Sequence, residues 1–422
     1  MKKKLAILFG LAFVFRMVLA FGVYHPDLRN HMDWGIRFWD YGPEKFYTAN
    51  VWSYTWPNQP PGTIYIFAGV RKLFEAVFGI FWWINTTVPP FPSQMMFFLE
   101  SNLYPALLKL PAILADLGIA FIIYKLLSQL KSKRLGYFGA LVFLVNPVVW
   151  YNSSVWGQTD SIINFVALAA FYLLLKRQLL LAVMVLSLSL YIKVSLLIFV
   201  PVFAIIVVRQ KYKLVEILNA VVFSLLAVFF ITLPFAPEAP HNWLFRIYKD
   251  KVFAQQLHVI TANGFNIWSA LTGIHEQPDS LIFAIINYRT WGYIIFAGFL
   301  VLPLYKIYKK QNASSVFTTL SLVAYSSFML LTNMHERYLY PLFPVFTIMV
   351  LLNNKLRSLY WIISLLTLFN MYHFWWYPEI GLVRSIFEYG DRLLPRVMGA
   401  VNIVLFVSVY RRLLFDGDRV RK

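Results

Sequence analysis

The chain of 422 residues contains no cysteine. Disulfides, a thiolate nucleophile and cysteine-ligated metals are therefore excluded. Charge is scarce too: Asp, Glu, Lys and Arg make up 14% of the residues, against about a quarter in an ordinary soluble domain. Apolar residues fill the gap, at 59% hydrophobic and a mean hydropathy of +0.63. Long apolar runs recur along the whole length, the pattern of an all-α polytopic membrane protein. No internal repeat or inverted pseudo-symmetry is visible, which counts against the repeat-built transporters.

The charge that is present is unbalanced, with a net of +19. Its distribution points to topology rather than to nucleic acid. Lys and Arg collect in short loops: Lys2 to Lys4, Lys131 to Arg134, Lys176-Arg177, Arg209 to Lys213, Lys306 to Lys310, Lys355 to Arg357 and Arg411 to Lys422. Basic loops alternating with apolar runs are the positive-inside pattern. Spans are expected near 5–24, 104–127, 136–153, 159–175, 178–192, 194–208, 214–235, 286–306, 314–332, 338–352, 358–374 and 397–411. About twelve spans starting from a cytoplasmic N-terminus put every basic cluster on the cytoplasmic side. The first run follows a basic start like a signal peptide, but Arg16 interrupts it and no convincing cleavage site follows, so it reads as an uncleaved span.

Residues 62–84 are apolar enough to cross, yet Arg71, Lys72 and Glu75 sit in their middle. Each charge at a bilayer centre costs about 2.5–3.5 kcal/mol on insertion scales. A helix in the interface avoids that cost, so 25–103 reads as one large first extracytoplasmic loop with interfacial helices. The whole chain, 1–422, is expected to be a single membrane domain with no separate soluble domain.

This topology sends six polar stretches to one face. They are HPDLRNHMDWGIRFW (25–39), WPNQPPG (56–62), VWGQTDS (155–161), YIK (191–193), NGFNIW (263–268) and NMHERYLYP (333–341). About fifteen of the nineteen carboxylates share that side, a bias of the same sense as the positive-inside rule. Polar segments converging at one end of a membrane bundle have the makings of a site.

The motifs in these stretches are Asp33-x-x-x-Arg37-x-Trp39, Gln59-Pro60-Pro61, Ala115-Asp116, W-G-Q-T-D, Y-I-K and His335-Glu336-Arg337. Together they resemble the GT-C superfamily of integral-membrane glycosyltransferases. The likeness is greatest to the dolichyl-phosphate-glucose-dependent glucosyltransferases of N-glycan assembly and to bacterial proteins grouped with GPI mannosyltransferases. The resemblance implies an inverting transfer of a hexose, of mannose or glucose type, from a polyprenyl-monophosphate carrier. The acceptor would be a hydroxyl of a lipid-linked glycan or cell-envelope molecule, at the outer face of the plasma membrane, with membrane lipid around the chain and no cofactor or metal.

By motif position the resemblance makes Asp33 the catalytic base, with Asp27 as the substitute if the match is one motif off. It assigns donor phosphate to Lys193, then to His335 and Arg337, with Lys109 near the outer surface as a further candidate. Arg37, Trp39, Gln59, Trp156, Gln158, Asp160 and Glu336 would surround the sugar or acceptor. Each has a plainer reading. Asp33 would merely solvate a loop, Lys193 would snorkel from a helix end, and Asp160 would N-cap the following span. His335-Glu336-Arg337 would brace a helix start, since adjacent helical residues diverge. Lys109 and Asp116 lie two turns apart on one helical face, and Asp116 is expected to pair with another helix. Two rival functions remain at this point, a flippase or transporter of a lipid-linked sugar and a polymer ligase using a pyrophosphate-linked donor.

Overall fold

In lipid the backbone must satisfy its own hydrogen bonds, and an apolar chain does so by folding into helices. The computed structural model describes residues 2–49 and 52–416. It is an all-α polytopic membrane protein. The first half comprises α1 (Lys2–Gly22), α2 (Leu28–Phe46), α3 (Pro61–Thr87), α4 (Gln94–Leu130) and α5 (Lys133–Val145). A bent continuation, α6 (Pro147–Trp156), is followed by α7 (Asp160–Leu175), α8 (Leu179–Ile192) and α9 (Val194–Gln210). Then come α10 (Leu214–Thr232), the short α11 (Pro240–Ile247) and α12 (Ile267–Thr272), and α13 (Tyr288–Lys309). The chain closes with α14 (Ala313–Leu330), α15 (Leu342–Leu352), α16 (Arg357–Tyr372) and α17 (Gly381–Arg411), the last broken at Tyr389 to Arg392. A two-stranded antiparallel hairpin, pairing Ile282 with Asn287 and Phe283 with Ile286, stands before α13.

Each of the expected spans falls on helix. Six helices among the described residues are long and apolar enough to cross a membrane, or seven if α5 and α6, bent by 52°, count as one. The others are short because they break: α6 turns at Pro147, α8 gives way to α9 at Lys193, and α14 and α15 are separated by a non-helical stretch. Four of them, including α7, α8 and α15, are apolar helices of 10–17 residues. α3 does not qualify as a span; its Arg71 and Lys72 are both paired with Glu75, at 2.9 and 2.7 Å.

The bundle has a clear inside and outside. The most apolar window of α14 is 78% buried and that of α4 is 67%, whereas that of α10 is 11% buried and faces outward. Arg16, so out of place in an apolar run, is wholly buried against Asp116 (3.3 Å), whose other oxygen accepts from the Tyr340 hydroxyl (2.9 Å). Arg16 also donates to the carbonyls of Ala12 and Leu144. Asp116 thus pairs between helices, as its position on α4 leads one to expect.

The basic loops collect at one end. Arg412 donates to the Lys355 carbonyl, Lys306 to that of Leu414, and Gln210 to that of Leu174, while Arg209 lies over the Tyr308 ring. From this end α4, α7, α8, α14 and α15 run to the opposite one. A helix of 16 residues covers about 24 Å, which separates the turn that opens α7 at Asp160 from Lys176 at its other end.

Candidate functional site

The sequence VWGQTDS forms the turn from α6 into α7. Gly157 takes the left-handed conformation (φ 81°), and any Cβ there would meet Leu28 at 2.7 Å and Lys109 at 2.9 Å. The amides of Gly157 and Gln158 both bond the Asn152 carbonyl, which tightens the turn. As a result the Trp156 indole and the Gln158 amide converge on one acceptor, Asp27 Oδ2, each at 2.9 Å. Asp27 stands at the head of α2, so the turn fastens the segment between α1 and α3 to the bundle.

The next residue of the turn meets the cations. Asp160 opens α7, but its carboxylate does not cap that helix. It accepts from Lys193 Nζ at 2.9 Å, from Asn152 at 3.3 Å, and stands 3.6 Å from Arg337 Nε. Lys193 reaches it because the chain is extended there (φ −158°, ψ 129°), between α8 and α9. His335, Glu336 and Arg337 lie in the non-helical stretch between α14 and α15, pinned by backbone pairing of Ala262 and Asn263 with His335. Free of helical geometry, adjacent side chains face the same cluster. Arg337 Nη1 is 3.2 Å from Glu336, and its guanidinium lies over the rings of Trp156 (5.3 Å) and Tyr338 (5.5 Å). Glu336 also accepts from the Trp375 indole at 3.3 Å. His25 stacks on Trp156 at 4.7 Å and tilts against Trp375 at 5.0 Å.

Burial sets the charges of this cluster. The imidazole of His25 is pushed down to about 2, first by burial and then by Arg337 and Lys109. His31 and His335 are both lowered to about 3, again by burial and then by Arg337 and Lys193. All three are neutral at pH 7. Burial also raises the Glu336 carboxyl, against the pull of Arg337. For Arg337 burial works against the charge, but Glu336 and Asp160 more than offset it and the guanidinium stays ionised. Several polar atoms here lack partners: Arg337 Nε, Asn152 Oδ1, Thr159 Oγ1, His25 Nε2 and His31 Nδ1 are buried with no hydrogen bond.

Of the residues singled out in the sequence, Trp156, Gln158, Asp160, Lys193, His335, Glu336 and Arg337 are brought together. Asp33 is buried on α2 but engaged elsewhere, 3.4 Å from Arg37 Nε and accepting from the Ser53 amide at 3.1 Å. Arg37 is shared with Asp40. Trp39 points to α3, donating to the Ala68 carbonyl under the Lys72 ammonium. Gln59 receives the Tyr47 hydroxyl on its carbonyl, and its side-chain oxygen is buried without a partner. Lys109 is spent on the last carbonyls of α1, at Ala20 and Val23, where a cation suits the helix dipole. Sequence reasoning passed over His25, Asn152 and Trp375. The run FWWYP (374–378) just after α16 was the available signal for the last.

A family profile described as "ALG3 protein" matches residues 158–260, a stretch that starts at Gln158 and contains Asp160 and Lys193. The match supports a membrane glycosyltransferase. No curated protein sequence matches the chain. The matched stretch covers a minority of the molecule, and it includes α7 to α11, where the carboxylate of the W-G-Q-T-D turn meets the lysine of Y-I-K.

Proposed function

We propose that the protein is an inverting mannosyltransferase that uses a polyprenyl-monophosphate-linked sugar. The acceptor is a hydroxyl of a lipid-linked glycan or cell-envelope molecule at the extracytoplasmic face of the plasma membrane. The ALG3 profile, of a dolichyl-phosphate-mannose-dependent family, favours mannose over glucose. The observation that carries the reading is that Trp156 ties the Asp27 carboxylate to the cluster in which Asp160 holds two cations. Trp156 donates to Asp27 and lies beneath the Arg337 guanidinium, while Asp160 joins Arg337 to Lys193.

The chemistry follows from that arrangement. The acceptor hydroxyl gives its proton to the Asp27 carboxylate as its oxygen forms a bond to the anomeric carbon. The bond from that carbon to the phosphate oxygen breaks, and its electron pair leaves with the polyprenyl phosphate. Lys193 and Arg337 stabilise the charge that grows on the phosphate. Attack from the opposite face inverts the configuration, through an oxocarbenium-like transition state. Neutral His335 donates or accepts a hydrogen bond without adding charge. Asp27 serves as base in place of Asp33: both Asp33 oxygens are engaged, by Arg37 and the Ser53 amide, whereas the two donors to Asp27 share its Oδ2.

The isoprenoid tail has a place beside this cluster. An apolar cavity of about 640 Å³ lies between α10 and α11, lined by Leu225, Leu226, Phe229, Thr232, Leu244 and Tyr248. Tyr248 donates to the Leu190 carbonyl and Thr232 to the Tyr191 hydroxyl, at the end of α8 just before Lys193. The deciding experiment incubates the protein in lipid nanodiscs with radiolabelled polyprenyl-phosphate mannose or glucose and lipid-linked glycan acceptors. Label passing to the acceptor supports the reading. Movement of the donor across vesicles with no transfer to any hydroxyl replaces it with a flippase.

A further inference from the structure

Against the backbone that pairs with His335 lies a second cavity, of about 380 Å³ and of different character. Its walls come from the segments on either side of α12, from Phe374 just after α16 and from the break within α17. Polar and charged groups of both signs line it, including Asn263, His275, Glu276, Asp391 and Arg392, together with the ring of Phe374. His275 Nε2 stands 3.6 Å from Asp391, and the Arg392 guanidinium lies 5.8 Å from the Phe374 ring centre. Three of these residues, Asn263, Asp391 and Arg392, hold left-handed backbone conformations (φ 66°, 55° and 61°). For non-glycine residues that conformation is costly and recurs at ligand clamps.

The cavity shares its walls with the charged cluster. Asn263 pairs through its backbone with His335, and Phe374 precedes Trp375, whose indole donates to Glu336. Its lining is nearly balanced in charge, with two carboxylates, one guanidinium and one imidazole. That balance suits neither an anionic headgroup nor a basic peptide. Carboxylate acceptors, guanidinium and amide donors and one aromatic face together suit a neutral, hydroxyl-rich ligand.

We propose that this cavity is the subsite for the inner sugars of the acceptor, holding the saccharide one or more residues away from the hydroxyl presented to Asp27. The proposal rests on the glycosyltransferase reading and deepens it, by making the acceptor an oligosaccharide rather than a single sugar or a bare lipid. The cluster around Asp160 handles the donor, and the cavity measures the acceptor's length.

The test compares two acceptors under saturating donor, a lipid-linked trisaccharide and an alkyl monosaccharide. The double variant Glu276→Ala/Asp391→Ala raises the acceptor KM for the trisaccharide about tenfold or more, the loss expected for a few hydrogen bonds to charged groups. It leaves the donor KM and the monosaccharide KM unchanged. Phe374→Leu, which keeps bulk but removes the aromatic face, gives a smaller rise of the same selectivity and covers the case in which the double variant does not fold. Mannobiose added to the nanodisc-embedded wild type, with saturation-transfer NMR as readout, shows binding that both variants weaken. An unchanged trisaccharide KM, or equal loss with both acceptors, overturns the subsite while the transferase reading stands. If the wild type transfers sugar to no acceptor, the transferase reading falls, and mannobiose binding alone decides the cavity.

Discussion

Two buried charge clusters lie within one hydrogen bond of each other, because the Ser161 hydroxyl next to Asp160 bonds the Tyr340 hydroxyl that serves Asp116. They are built differently. Around Arg16 the account is closed: the guanidinium meets Asp116 and two carbonyls, and Asp116 meets Arg16 and Tyr340. Around Asp160 two cations share one carboxylate, Arg337 Nε at 3.6 Å is too far to hydrogen-bond it, and Asn152 Oδ1 and Thr159 Oγ1 have no hydrogen-bond partner. Buried polar groups in a finished protein are almost always paired. A satisfied cluster braces helices, and on the proposed reading the unsatisfied one receives the donor phosphate.

The comparison breaks most sharply at the proposed base. Asp27→Asn keeps the hydrogen bonds from Trp156 and Gln158 but removes the proton acceptor, and transfer falls by about 10²- to 10⁴-fold, the usual contribution of a positioned base. Asp33→Asn lowers it less than about tenfold. Initial rates in nanodiscs measure both, and the reverse order would return the base to Asp33. The two clusters then separate by the kind of damage done. Arg16→Met leaves Asp116 buried and unpaired, at a cost of about 3–5 kcal/mol, read as a lower melting temperature with the donor KM unchanged in the surviving protein. Lys193→Met does the opposite. Asp160 keeps Asn152 and Arg337, so stability changes less while the donor KM rises. A Lys193→Met protein with a normal donor KM would make this cluster a second brace.

Much of this was legible in the sequence. The helical spans, the gathering of basic loops at one end and the convergence of W-G-Q-T-D, Y-I-K and H-E-R follow from hydropathy, charge placement and motif. The choice between Asp27 and Asp33 does not. Both are carboxylates of the same amphipathic segment, and only the donors that reach each of them, Trp156 and Gln158 for one, Arg37 and Ser53 for the other, tell them apart. Those partners are distant in the chain or set by loop conformation, and no spacing rule encodes them. The pairing of Lys109 was hidden for a similar reason. It shares a helical face with Asp116, but its depth decides whether it meets Arg16 or the end of α1.

Acidity sharpens the contrast further, because the histidines lie on one side of it. His25, His31 and His335 are held well below their ordinary value of 6.5. Below pH 6.5 the unfolded chain therefore binds protons that the folded chain refuses, and stability falls as pH falls. The slope is up to about 1.4 kcal/mol per pH unit for each histidine. Glu336, with its carboxyl raised by burial, works in the opposite sense and softens the loss. Melting temperatures between pH 7 and pH 5 should fall in the wild type, fall less in His31→Phe, and fall more steeply in Glu336→Gln. The same slope in all three would mean that these groups are open to water and carry no such linkage.

The smallest effect belongs to Lys109, which decides where the brace ends and the site begins. Its ammonium bonds the carbonyls of Ala20 and Val23, and its stem packs under Gly157. In that position it acts as the C-terminal cap of α1, a role worth about 0.3–2 kcal/mol. Lys109→Met, which keeps the stem, should lower the melting temperature slightly and leave the donor KM within about twofold of the wild type. A donor KM that rises as it does for Lys193→Met would show that the ammonium leaves α1 when the phosphate binds. The boundary between the finished cluster and the waiting one would then run through α4 itself, with Asp116 on one side and Lys109 on the other.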